Sequence, residues 1–199
     1  GVGAAYLYRM ENNGSATYLA KLTSPDGAEG EMFAASLSVF DDIVVVGAFQ
    51  ADQDGYEEAG AAYFYKVESN GSVTYLTKLT APDLSTGVRS FGRSISRSGD
   101  LLAIGSMHDI YFYRVDANGS TTGLGKAIFH PLHEDDPPDV LNVFSISLSG
   151  ELLAAGGMIL QVIGEGEEAD PEWEPAGGAV YLVNLKSLNN TPPSDLHVS

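Results

Sequence analysis

The chain contains no cysteine. Disulfides, thiolate metal sites and a cysteine nucleophile are therefore excluded. Basic residues are few: 10 Lys and Arg stand against 27 Asp and Glu, for a formal net charge of −17. A surface of that sign repels nucleic acid and anionic membranes, which argues against a DNA- or RNA-binding role. It attracts cations, or it serves only to keep the protein soluble, and both readings stay open. No apolar run is long enough to cross a bilayer as a helix, and no stretch keeps helical periodicity beyond a turn or two. The chain begins at Gly1 with neither Met nor a charged-then-apolar leader, which reads as a mature product or a fragment. A catalytic set is also missing. The serines lack a His and Asp constellation, and there is no nucleophile elbow or phosphate loop. The many carboxylates carry little catalytic weight in so acidic a chain.

What is present is glycine (23 residues) and aromatic residues, with 10 Tyr and 8 Phe. That mixture suits short strands joined by tight turns. Internal repetition then decides the fold. Residues 3–26 read GAAYLYRMENNGSATYLAKLTSPD and residues 60–83 read GAAYFYKVESNGSVTYLTKLTAPD, with 17 of 24 positions identical and no gap. A third copy starts at Asp109, and a partial fourth, GGAVYLVNLKSL, spans 177–188. A second block alternates with the first: MFAASLSVFDDIVVVGA at 32–48, SFGRSISRSGDLLAIGS at 90–106 and VFSISLSGELLAAGG at 143–157.

Each block reads as two strands. Ser36-Leu37-Ser38 and Ser94-Ile95-Ser96 alternate polar and apolar, as a half-buried strand does. After a turn carrying Asp42, Asp100 or Glu151 comes an apolar run such as Ile43-Val44-Val45-Val46, expected to be a strand buried on both faces. In the other block Tyr63-Phe64-Tyr65 is an aromatic strand. Asn13-Gly14, Asn70-Gly71 and Asn118-Gly119 are hairpin signals, expected as type I′ turns. Four antiparallel strands repeating at about fifty residues is the pattern of an all-β fold of β-propeller blades, four-stranded antiparallel sheets.

These residues resemble the FG-GAP repeat family, the blades of the integrin α-subunit head and of many bacterial and algal surface proteins. Phe91-Gly92 followed by Gly105-Ser106, and Phe33-Ala34 followed by Gly47-Ala48-Phe49, stand where the family carries its name-giving residues. The resemblance runs from Gly3 to Leu188. It departs in the fourth unit, which lacks the Phe-Gly pair, in the absence of Pro after Gly-Ala, and in the near absence of a loop between Ser106 and Ile110. About three and a half blades are expected: the end of one at 1–31, whole blades at 32–89 and 90–139, a partial blade at 140–188, and a C-terminal linker at 189–199. Since the family usually closes seven blades and open sheet edges are avoided, the chain reads as part of a larger propeller. Closure as a small ring and pairing with another chain are the alternatives.

The sharpest candidate site is the loop from Gln50 to Glu58. Calcium takes six to eight oxygens, and a loop can offer them at alternate positions around a glycine turn. Gln50, Asp52, Asp54, the Tyr56 carbonyl and Glu58 have that spacing, with Gly55 at the turn. The loop resembles the integrin calcium loop, with Gln replacing the first Asp, although it follows the second strand here and not the first. A solvated acidic loop is the plainer alternative. The loop 164–174 holds five Glu, one Asp and the sole tryptophan, Trp173, an anchor for a basic partner if the loop is more than a charged flap. His130 and His133 sit among prolines and read as an inter-blade connection, not a metal site. Asn13, Asn70, Asn118 and Asn189 fit the N-glycosylation pattern, though the hairpin alone accounts for the first three. The resemblance implies a non-catalytic extracellular or cell-surface module for adhesion or assembly, calcium-stabilised, whose blade loops bind a protein or glycan. Further blades from the same or another chain are expected partners. The alternatives are the propeller portion of a secreted hydrolase and a sugar-binding lectin.

Overall fold

The structure, a computed structural model, describes residues 3–27, 29–84, 88–129, 140–163, 172–185 and 196–198. Among these no helix is long and apolar enough to cross a membrane. The strands are β1 (Ala5–Met10) and β2 (Ala16–Leu22), then β3 (Phe33–Phe40), β4 (Ile43–Ala48), β5 (Ala61–Val67) and β6 (Val73–Leu79). They continue with β7 (Ser94–Ser98), β8 (Leu101–Gly105), β9 (Asp109–Val115) and β10 (Thr121–Phe129). Last come β11 (Val140–Ser149), β12 (Leu152–Ile163), β13 (Glu172–Asn184) and β14 (Leu196–Val198). Each sheet is an antiparallel meander in chain order: β1-β2, β3-β4-β5-β6, β7-β8-β9-β10 and β11-β12-β13. These are propeller blades, the first and last of them partial. The strip 189–199, expected as a linker, contains β14, which pairs in parallel with β10. The reason is local: β10 is the outer strand of its blade, and its free backbone groups take a partner.

Register makes the blades superimposable. Gly47, Gly105 and Gly156 stand opposite Ser36, Ser94 and Ser145. Alternation along each strand then sends one side chain toward the blade before and the next toward the blade after. The second strand of the complete blade at β3–β6 is buried along its whole length, from Ile43 to Ala48, and β8 is buried from Leu102 to Gly105. Among the described residues the result is not one core but three, each sandwiched between neighbouring blades. Ala5, Leu22, Phe33, Tyr63 and Tyr65 belong to the first; Phe64, Phe91, Leu102, Ile104 and Tyr111 to the second; Phe112, Val143, Leu148 and Leu153 to the third.

The alternating serines have a task that patterning alone does not reveal. Ser38 Oγ accepts the Arg97 N–H at 3.1 Å, and Ser96 Oγ accepts the Leu148 N–H at 2.9 Å. Arg97 and Leu148 are equivalent positions in successive blades. The hydroxyls of one first strand thus satisfy backbone donors of the next blade, groups that are costly to bury unpaired.

The Phe-Gly pair is explained the same way. Phe91 fills the second core, and its N–H donates to the Ala59 carbonyl at 2.9 Å. Gly92 (φ +86°) brings its backbone against Ala61 and Gly47 of the preceding blade, so closely that a side chain on either glycine would overlap a carbonyl oxygen. Its own carbonyl accepts the Ser36 hydroxyl at 2.6 Å. In the blade before, the position is Ala34, held at φ +69°. A left-handed alanine costs roughly 1 kcal/mol. Ala34→Gly is therefore expected to stabilise the chain by up to about 1 kcal/mol in urea unfolding, partly offset by glycine's freer unfolded state.

The expected type I′ turn is corrected at all three Asn-Gly hairpins. In the Asn-Gly hairpins only the glycines take positive φ (84°, 85° and 87° at Gly14, Gly71 and Gly119). Each is a three-residue loop, with Gly14 N–H on Glu11 O and Glu11 N–H on Ser15 O, that is, a type I turn closed by a left-handed glycine. The extra residue keeps the asparagine in its ordinary region, where its Oδ1 accepts the N–H of the serine two positions on. The turn expected as I′ occurs instead at Asp54-Gly55.

Candidate interaction surface

The link between β4 and β5 is pinned at its base. Ala51 and Ala59 are fully buried. Gly60 N–H donates to Ala51 O at 2.8 Å, and Gln50 N–H to Glu31 O at 3.2 Å. Above this base Gln53 and Tyr56 exchange both backbone hydrogen bonds, at 3.0 and 2.8 Å. They flank Asp54 and Gly55, at φ 50° and 87°, so the loop is a miniature hairpin with a type I′ turn.

Of the residues read as calcium ligands, the structure brings Gln50, Asp52 and Glu58 together. Asp52 Oδ1 accepts the Glu58 N–H at 2.9 Å, and Gln50 Nε2 donates to Glu58 Oε1 at 3.2 Å. Arg89 lies 3.8 Å from the other Glu58 oxygen. Asp54 is set apart at the turn, and the Tyr56 carbonyl accepts the Gln53 N–H. The oxygens of Asp52, Glu58 and the Tyr56 carbonyl therefore engage protein donors. Among the described residues no three His, Asp or Glu side chains gather as a metal-holding group. What the loop presents outward is Asp52, Asp54, Tyr56 and Glu57, all exposed.

The other candidates are more scattered. Asn13, Asn70 and Asn118 are exposed at equivalent hairpin tips, each with its side-chain carbonyl taken by the following serine. Asn189 and the histidines at 130 and 133 lie outside the described residues, as does 164–171 of the last acidic loop. Glu172, Trp173 and Glu174, read as loop, belong to β13, where Trp173 stands opposite Val162; its side chain lies outside the described residues. The hairpin pairing simply continues past the blade's width. The short link after Ser106 is as expected, a tight turn with Ser106 N–H on Asp109 O at 2.8 Å.

A second arrangement links the blades themselves. Asp26, at the end of the TSPD segment, accepts the Tyr63 hydroxyl at 2.7 Å and the Lys78 ammonium at 2.6 Å. One repeat later Asp83, ending TAPD, accepts Tyr111 at 2.8 Å and Lys126 at 2.9 Å. Asp109 gives Lys126 a second carboxylate at 3.1 Å. In both, the carboxylate leaves the outer strand of one blade and clamps the third and fourth strands of the next. Burial works to raise the Asp83 carboxyl, but hydrogen bonds from Lys126 and Tyr111 outweigh it and hold the group below the ordinary carboxylate range. Asp26 is held low by the same balance. Burial and the neighbouring carboxylates push the Tyr111 phenol far up, so it remains a donor. Sequence reasoning missed this clamp although its signal was there: Tyr, Lys and Pro-Asp all fall among the identical positions of the two copies.

Comparison with known proteins agrees with the propeller-blade fold. Residues 17–65, from β2 through most of β5, match the FG-GAP repeat. No curated protein matches the chain. Among solved structures, the chain is similar to the crystal structure of a protein from Lactobacillus plantarum, with a TM-score of 0.51 and 18% identity. The match covers 88% of this chain and 50% of that one. It shows the shared fold, and the chain spans about half the length of that protein.

Proposed function

We propose, from the premise that residues 17–65 form an FG-GAP repeat within a run of propeller blades, that this chain is a non-catalytic propeller segment for adhesion or protein assembly, working outside the cell or at its surface. The observation that supports this most is the loop 50–58. It is fixed at its base by buried alanines and backbone hydrogen bonds, and it offers three carboxylates and a tyrosine to solvent. Loops held on a rigid scaffold are where binding residues concentrate. The net charge of −17 favours a basic partner surface and faster encounter with it. A variant carrying Asp52→Asn, Asp54→Asn, Tyr56→Ala and Glu57→Gln, which keeps the acceptor for the Glu58 N–H and an asparagine at the left-handed position 54, is expected to lose at least about tenfold in affinity for immobilised basic matrix proteins, with unfolding shifted by less than about 1 kcal/mol. Equal binding by variant and parent, or turnover by the chain of polysaccharide or phosphoester substrates, would sink this reading. A glycan array tests the lectin alternative in the same material.

Calcium at this loop is a narrower part of the proposal. Binding would require Glu58 and Asp52 to exchange Gln50, Arg89 and a backbone N–H for the ion, so a weak, millimolar site is expected. Calorimetric heat with one calcium per chain, abolished by Asp52→Asn, supports it, and no heat at millimolar calcium removes it.

A further inference from the structure

Three tyrosine–lysine pairs recur in the repeat: Tyr6 with Lys21, Tyr63 with Lys78 and Tyr111 with Lys126. In each the ammonium lies over its partner's ring, 5.8, 5.4 and 5.7 Å from the centre. The second and third pairs each hold an aspartate from the preceding blade. The first holds none among the described residues. Tyr6 and Tyr8 are each 56% exposed, whereas Tyr63 and Tyr65, their equivalents one repeat later, are 0% and 5% exposed. The opposite side of β1, with Ala5 and Leu7, is packed against the next blade. The far end of the chain shows the complementary half of the same interface. Val180 and Leu182 on β13 are 76% and 70% exposed, where Ile110 and Phe112 are fully buried.

We propose that the Tyr6–Lys21 face of β1 and β2 is a carboxylate receptor for a further blade of this repeat type, carried in the same polypeptide, whose outer strand runs into Thr-x-Pro-Asp. The chemistry is fixed by what the two internal copies of the face hold: a phenol and an ammonium converging on one carboxylate, above a tyrosine surface that needs an apolar cover. A source in the same chain follows from the internal precedents. Asp26 and Asp83 each sit in the link that leads from one blade into the next. The similar Lactobacillus plantarum protein also carries, in one chain, twice the length that this chain spans. The inference concerns the end of the blade stack and holds whatever the loops bind.

Two comparisons test it. Among the described residues nothing fills the receptor, so Tyr6→Phe should leave the melting temperature within about 1 °C, while Tyr63→Phe lowers it by about 4 °C. The second uses a chain extended at its N terminus by another copy of its own residues 3–59, one repeat of 57 residues. There Tyr6→Phe, or Asp→Asn in the added Thr-Ser-Pro-Asp, should lower the melting temperature by about 4 °C. Tyr6 should also become protected from nitration, read by mass spectrometry. Equal effects of Tyr6→Phe in the extended and parent chains, or a Tyr6 nitrated as readily after extension, overturn the proposal. If the extension does not fold, the first comparison decides, since equal losses for Tyr6→Phe and Tyr63→Phe would show that Tyr6 is already engaged within this chain.

Discussion

Phe91→Ala is expected to remove about 3–5 kcal/mol of stability, the range for truncating a buried aromatic. Phe91 is fully buried and sits between two blades. Its ring meets Tyr111 edge-on at 5.4 Å and Tyr113 at 6.5 Å. Ala62 and Phe64 reach the same core from the blade before. The surroundings have little room to collapse into the space, because the neighbouring backbones are held glycine against carbonyl at Gly92, Gly47 and Ala61. Most of the cavity should therefore persist. With total stabilities of about 5–15 kcal/mol for a domain, the variant should melt some 6–20 °C lower. The equivalent Phe33 touches Tyr63 at 5.6 Å, but its other neighbour is only the two-stranded blade of β1 and β2. That blade has more freedom to shift, so Phe33→Ala should fall toward 3 kcal/mol or below. A loss under about 1 kcal/mol at Phe91 would mean that the inter-blade core is not packed as described.

The contrast between these two phenylalanines shows what was readable in the sequence. The four-strand unit was legible because its signals are local: period-two alternation in Ser36-Leu37-Ser38, an unbroken apolar run at Ile43–Val46, a glycine after it. The spacing of the copies gave the blade order. Two things failed for a physical reason. Turn type depends on where pairing resumes, and Asn13-Gly14 by itself signals a two-residue loop, whereas the strands close one residue wider. The extent of β12 and β13, and the docking of β14 on β10, depend on free hydrogen-bonding edges, which leave no periodic mark. The clamp is a third case. In the sequence Asp26 shows only repeat identity, because its partners lie 37 and 52 positions downstream, and no local rule relates residues so far apart. The loop 50–58 was found by spacing, but spacing alone did not show that Gln50, Asp52 and Glu58 bind one another.

Removing the second clamp should be nearly as damaging as emptying the core, and it should change how stability follows pH. Among the described residues Asp83 accepts the Tyr111 hydroxyl and the Lys126 ammonium, in a partly buried setting where its side chain is 26% and that of Lys126 20% exposed. Bonds to charged groups are worth about 1.5–3 kcal/mol each before solvent screening is allowed for, so Asp83→Ala is expected to cost roughly 2–3 kcal/mol. Lys126 keeps Asp109 at 3.1 Å, which prevents a larger loss. The carboxyl of Asp83 lies below its ordinary value of 3.8 in the folded chain. Its contribution is therefore complete above that value and is lost as pH falls through the lower folded one. Lys126 is shifted the other way: burial works to lower it, but Asp83 and Asp109 outweigh burial and raise it above 10.5. Its contribution is full below 10.5 and fades only as pH rises through the folded value. Between those limits the clamp is intact, so urea unfolding of the parent should show a plateau that falls off at both ends. Asp83→Ala should lower the plateau and flatten the acid side. Asp83→Asn, which keeps an acceptor without the charge, should recover part of the plateau and leave the acid side flat. Asp26→Ala should do the same more weakly, since its side chain is 49% exposed and water already screens much of its pairing. An acid limb as steep in Asp83→Ala as in the parent would place the titrating stability elsewhere in this acidic chain and remove the clamp from the account of how its blades hold together.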